Sequence, residues 1–221
     1  MNLELGHPWN VTPEQAREIQ QQLRTQVVSA DELGPVRFVA GIDVAFEDDN
    51  SVARAAVAVL RFPELELCES TVVRHPADFP YIPSLLSFRE APAALEALRT
   101  LRRLPDLLLC DGQGLAHPRR FGLACHIGLL SQTPSIGVAK TRLTGVHELV
   151  PAERGSWRPL LDDGEVVGAA LRTAGGVKPI FVSIGHRISL ATAIEYVLRC
   201  APRYRLPETT RWAHRIASEI R

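Results

Sequence analysis

The sequence predicts one mixed α/β domain in which three antiparallel strands are followed by parallel strands, with helices flanking the sheet. Three observations carry this. Strand-like runs at Val36–Phe46, Ser51–Phe62 and Glu64–Arg74 follow one another through short connections, Glu47-Asp48-Asp49-Asn50 and the turn around Pro63, the pattern of successive hairpins. A helical run, Phe121–Leu130, lies between two short apolar runs, Asp106–Asp111 and Thr133–Ala139, the pattern of a parallel β-α-β unit. The 221 residues are 46% apolar and 23% charged, with no repeat and no low-complexity linker, which suits a single globular domain over residues 1–221.

In chain order, Thr12-Pro13-Glu14-Gln15 reads as a capping-box helix start, and Ile19, Leu23 and Val27 continue it as an apolar stripe. The three-strand meander follows. His75–Pro83 contains Pro76, Pro80 and Pro83 and cannot continue a ladder. Ser84–Arg103 reads as a helix broken or restarted at Pro92. After the β-α-β unit, Val166–Leu171 and Ile180–Ile184 are strands separated by Gly175-Gly176, and Ser189–Arg199 and Thr210–Ile220 are helices.

The 25 basic and 25 acidic residues give a net charge of zero, which excludes a polycationic nucleic-acid coat or an acidic tail protein. The charge is nevertheless segregated: residues 1–50 carry 3 basic and 9 acidic groups, and residues 199–221 carry 6 and 2. Of the basic residues 23 are Arg, and Lys140 and Lys178 alone are Lys. Cys68, Cys110, Cys125 and Cys200 lack metal-ligand or redox spacing and read as reduced thiols of a cytoplasmic protein. No signal pattern and no long apolar run suggests secretion or a membrane span.

Two carboxylates are out of place. Asp43 interrupts an otherwise almost wholly apolar strand, and Asp111 ends Leu107-Leu108-Leu109-Cys110 and opens Asp111-Gly112-Gln113-Gly114. Buried acids need pairing or a cation, and oxygen ligands favour Mg²⁺ or Mn²⁺ over zinc. Read alone, each also fits a loop or helix cap. Glu90 is the third candidate, or an exposed helix acid. His117 sits in a loop before Pro118, and Lys140 follows the strand ending at Ala139, where an ammonium can meet a phosphate. Arg119 and Arg120 serve phosphates or solvate a helix start, and both readings stay open. Tyr81, between Pro80 and Ile82-Pro83, is a stacking or wedging aromatic or a packing residue. His126 reads as structural.

These segments, taken together, resemble the endonuclease V family, the deoxyinosine 3′ endonucleases. The resemblance runs through Gly41-Ile42-Asp43-Val44-Ala45, Pro80-Tyr81-Ile82-Pro83, Leu86-Ser87-Phe88-Arg89-Glu90, Asp111-Gly112 to His117-Pro118-Arg119-Arg120, Gly137-Val138-Ala139-Lys140, Gly185-His186-Arg187 and Arg205-Leu206-Pro207-Glu208. It implies a ribonuclease-H-like fold and Mg²⁺-dependent hydrolysis, with Mn²⁺ as a substitute, at the second phosphodiester bond 3′ to hypoxanthine, leaving 3′-hydroxyl and 5′-phosphate ends. It implies that Asp43, Glu90 and Asp111 bind metal, that His117 and Lys140 join them as catalytic residues near the reacting strand, and that Pro80, Tyr81, Ile82 and Pro83 wedge the duplex. Ser84, Leu86, Gly112, Gly122, Leu123 and Leu143 fall at the base pocket, where backbone groups would read a flipped base. Arg119, Arg120 and His214 are the remaining candidate DNA contacts.

Three positions depart from the family pattern: Ser84 replaces a usual glycine, Thr209 replaces a common proline and is expected only to loosen a turn, and His214 is taken as an outer-shell group. The partner expected is DNA containing deoxyinosine, with no membrane, and the protein is expected to be monomeric. Inosine-containing RNA, and a non-catalytic binder of deaminated strands, are the alternatives.

Overall fold

The computed structural model describes residues 6–219. Helix α1 (Pro13–Leu23) starts as expected: Thr12 Oγ1 accepts from Gln15 N–H, and Gln15 Oε1 accepts from Thr12 N–H. Strands β1 (Phe38–Glu47), β2 (Val52–Arg61) and β3 (Glu66–Pro76) form the antiparallel meander. Helix α2 (Ser87–Thr100) leads to β4 (Leu107–Asp111), α3 (Leu123–Ser131) and β5 (Ser135–Ala139). Strands β6 (Trp157–Asp162), β7 (Glu165–Leu171) and β8 (Ile180–His186) follow, then α4 (Leu190–Cys200) and α5 (Glu208–Ser218). The expected helix end at Ile220 lies outside the described residues.

All eight strands make one sheet in the order β3-β2-β1-β4-β5-β8-β7-β6. The expected parallel pairing holds for β1 with β4 and β4 with β5. The strands after β5 do not continue it: β8 returns antiparallel to β5, and β7 and β6 add antiparallel pairs outside it. β6 was not expected. It is joined to β7 through Asp163-Gly164, both at positive φ (51° and 80°), the backbone that a two-residue hairpin of matching twist requires.

α2 runs unbroken through Pro92, against expectation. Proline forfeits one hydrogen bond, to the Phe88 carbonyl. Burial of Phe88, Ala91, Ala94, Leu95 and Leu98 outweighs that loss. α2 and α3 cover one sheet face, packing on Ala40, Ile42, Leu108 and Cys110. α4 and α5 cover the other, over Val39, Leu107 and Leu109. α5 approaches β1 so closely that a Cβ at Gly41 would lie 1.9 Å from the Thr209 carbonyl oxygen. Thr209 is not in a loosened turn but in the first turn of α5, fully buried, with its hydroxyl unpaired.

Candidate active site

The placement of Asp43 follows from the sheet. The parallel ladder between β1 and β4 ends at Ile42 opposite Cys110, while β1 goes on pairing with β2 as far as Glu47. Asp43 is therefore the first β1 residue beyond the end of that ladder, and Asp111 is the last residue of β4 beside it. Strand alternation turns both toward the α5 face. There His214 Nδ1 donates to Asp43 Oδ2 at 2.7 Å, and ligand atoms of Asp43, Asp111 and His214 lie within 4.8 Å of one another.

Lys140, directly after β5, donates to Asp111 Oδ2 at 2.5 Å. Burial raises the Asp111 carboxyl, and the Lys140 bond pulls it back. Glu90 arrives from α2. Burial first, then the charges of Asp43 and Asp111, push it up to about 8, with Arg89 only partly opposing. Three acids thus gather at one end of the sheet, Glu90 outside the close group of Asp43, Asp111 and His214, and burial together with the two neighbouring charges favours its protonated form. That gathering, and a donor set of carboxylate oxygens plus one imidazole, fit a divalent cation.

A pocket of about 330 Å³ opens beside the acids. Its wall includes Glu90, Asp111 and Lys140, and all six residues expected for a base pocket: Ser84, Leu86, Gly112, Gly122, Leu123 and Leu143. Helices α2 and α3 both begin at this wall, at Leu86 and Gly122, without a side-chain cap. The N–H groups of Phe88, Arg89, Gly122 and Ala124 donate to the carbonyls of Leu85, Leu86, Gly114 and Gln113, which leaves those of Ser87 and Leu123 for a ligand acceptor. Gly122 permits this packing, because a Cβ there would sit 2.3 Å from the Gln113 carbonyl oxygen. Tyr81 stands at the rim, 70% exposed. Pro80 and Pro83 are also exposed, while Ile82 turns inward onto Phe79, Leu85 and Phe88 and anchors the loop. Arg89 ties the loop base by donating to the carbonyls of Phe79 (2.8 Å) and Asn50.

Ser84 holds the pocket wall in a left-handed conformation, φ 66°, which explains why glycine suits this position. Its carbonyl accepts from Gln20 Nε2 (3.1 Å), His117 Nε2 (2.9 Å) and Arg119 Nη2 (2.7 Å), and its hydroxyl accepts from Arg119 Nη2 at 2.7 Å. Gln20, fully buried on α1, also donates to the Phe121 carbonyl and accepts from Arg119 Nε. Sequence reasoning missed Gln20. Its signal is a lone polar side chain on the same helix face as Ala16.

His117 is 3% exposed. Its Nε2 donates to Ser84 and its Nδ1 accepts from the Arg119 N–H at 3.1 Å, so the ring is a neutral Nε2–H tautomer. Burial takes it down to about 4. The arginines expected at phosphates are engaged within the protein. Arg119 grips Ser84, and Arg120 pairs with Asp162 (2.7 Å) and Glu165 (2.9 Å). On α5, Arg211 pairs with Glu208 and Arg215 with Glu219. His214 belongs with the acids, inside ligand reach of them, rather than with a separate DNA-binding surface.

A mixed sheet carrying paired acids where two adjacent parallel strands end is the ribonuclease-H-like class. A sequence profile of the Endonuclease V family matches residues 21–215. The chain belongs to that family, which makes it a nuclease by descent. It is 55% identical to Endonuclease V of Trichormus variabilis over 219 residues, 99% of each chain. Among solved structures it superposes on Endonuclease V of Streptomyces avermitilis with a TM-score of 0.91 at 46% identity, covering 95% of this chain and 92% of that one. It also matches Endonuclease V of Ciona intestinalis, solved with a 24-mer DNA containing an inosine followed by a ribo-adenosine, with a TM-score of 0.79 at 30% identity over 92% and 95% of the two chains. No helix among the described residues is long and apolar enough to cross a membrane.

Proposed function

We propose that this chain is a repair endonuclease that takes the hypoxanthine of deoxyinosine into the 330 Å³ pocket and hydrolyses the second phosphodiester bond on the 3′ side, leaving 3′-hydroxyl and 5′-phosphate ends. The observation that carries it is the continuity of one cavity wall from uncapped helix starts at Leu86 and Gly122 to the acids Glu90 and Asp111. The N–H groups of Ser87 and Leu123 at those starts, which no backbone carbonyl takes, suit the ring acceptors of a flipped purine. Tyr81, exposed on a loop pinned by Ile82, fills the gap left by the extruded base. The inosine-containing DNA held by the Ciona relative supports this substrate class.

Asp43, Glu90 and Asp111, with His214, would hold Mg²⁺ or Mn²⁺, which supplies Lewis-acid activation of water and stabilises the leaving oxygen. Lys140 orients Asp111 and offers its ammonium to the strand. His117 acts by position, since both ring nitrogens are committed to the wall. The ribo-adenosine beside inosine in the Ciona complex favours a second reading, inosine-containing RNA as substrate.

The experiment is a nicking assay with Mg²⁺ on DNA duplexes carrying one deoxyinosine, matched undamaged duplexes, and RNA strands carrying one inosine. The reading expects one cut in inosine DNA, ends mapping to the second bond, none after EDTA. Equal cutting of undamaged duplex overturns it, and faster cutting of RNA replaces it with the second reading.

A further inference from the structure

Ser87, the first residue of α2, lines the pocket, is 3% exposed, and has no role in the account above. Its hydroxyl lies 3.1 Å from His126 Nδ1. His126 Nε2 lies 2.7 Å from His7 Nε2, and His7 Nδ1 lies 2.8 Å from the Pro8 carbonyl oxygen. The chain of contacts has a single direction. A carbonyl only accepts, so His7 Nδ1 carries a proton. Burial holds both rings below the ordinary imidazole value, so each has one proton near neutrality. His7 Nε2 is then an acceptor, His126 Nε2–H donates to it, and His126 Nδ1 must accept from the Ser87 hydroxyl. With its hydrogen committed backwards, Ser87 Oγ can present only lone pairs to the pocket.

We infer that Ser87 is a specificity-determining residue whose hydroxyl, fixed as an acceptor by His126 and His7, takes a hydrogen bond from the N1–H of the bound base. The inference rests on the reading that the pocket holds hypoxanthine. Hypoxanthine carries a hydrogen on N1. Adenine has a lone pair there, which would face the lone pairs of Ser87 and leave two buried acceptors without a donor. The device therefore separates the deaminated base from its parent at the one ring position where deamination turns an acceptor into a donor. Guanine also carries N1–H, so Ser87 does not reject guanine.

The test compares wild type, Ser87→Ala and Ser87→Thr on DNA strands carrying one deoxyinosine or one deoxynebularine, a purine without N1–H, with binding measured by anisotropy in Ca²⁺. Wild type binds inosine more tightly than nebularine. Ser87→Ala loses about tenfold on inosine, the worth of one buried hydrogen bond, and almost nothing on nebularine, so the ratio collapses. Ser87→Thr, which keeps the hydroxyl, keeps the ratio. Equal losses on both probes in Ser87→Ala, or a ratio unchanged by it, overturn the inference. A wild type that binds inosine no better than an undamaged strand instead overturns the underlying pocket reading.

Discussion

Single residues carry two opposed costs at this site. Ser84 accepts a left-handed backbone, φ 66°, that costs a non-glycine residue about 1–2 kcal/mol, and its hydroxyl gains a charge-assisted bond from Arg119 of similar worth. Ser84→Gly removes both, so it should change stability by less than about 1 kcal/mol, while Ser84→Ala keeps the strain and loses the bond, costing about 2 kcal/mol. Denaturant melts decide this, and an alanine variant as stable as the glycine variant contradicts it. Glu90 holds its proton up to about 8, above the ordinary 4.5. In the metal-free protein its contribution to stability is full below the ordinary value and lost as pH rises through about 8. A cation must expel that proton. Calorimetry in buffers of different ionisation heat should show about one proton released per bound ion, with affinity rising up to pH 8. Metal affinity independent of pH across this window contradicts it.

At the scale of elements, the site depends on how closely α5 lies on β1. A methyl at Gly41 would meet the Thr209 carbonyl at 1.9 Å, and the helix it displaces carries His214. Gly41→Ala should destabilise by about 1–3 kcal/mol and reduce cleavage at temperatures where the variant is fully folded. Full activity in the folded variant means that the α5 position is not needed. Elements whose signals are local were legible: the capping box of α1, the β1–β3 meander, and β4-α3-β5. The return of β8 antiparallel to β5 was not, because no local signal states the direction of a strand reached through a long connection. β6 did have a signal in Asp163-Gly164, outweighed by the polar and proline residues around it. Pro92 misled in the other direction, since burial on α2 exceeds the one bond lost.

Across the whole molecule, the residues that contradict their surroundings were the informative ones. Asp43 and Asp111 were found as charges in apolar strands and Lys140 as one of two lysines, and the structure joins all three. Gln20, Ser87 and His214 were less legible as a group, because their partners lie 39 to 171 residues away in the chain. The buried histidines also set a global property. His117 and His186 are both held down to about 4 from 6.5 by burial, so the folded state binds fewer protons than the unfolded one between those values. Their contribution is complete above 6.5 and is lost as pH falls through about 4. Glu90 and Asp111, both raised, act oppositely but stand against four histidines, since His7 and His126 are lowered too. Thermal melts should show the melting temperature falling steadily from neutral pH to about 4.5; a flat profile contradicts this.

The central claim is that the acids beside the pocket do the cutting while the pocket does the recognising. Asp111→Asn keeps the shape and removes one charge between β4 and Lys140. Its binding to single-deoxyinosine duplex in Ca²⁺ and its single-turnover cleavage in Mg²⁺ should be measured on the same preparation. The account predicts binding within a few-fold of wild type and cleavage reduced about a thousandfold, as expected for losing several kcal/mol of charge stabilisation. Cleavage within tenfold of wild type, with binding intact, would contradict it.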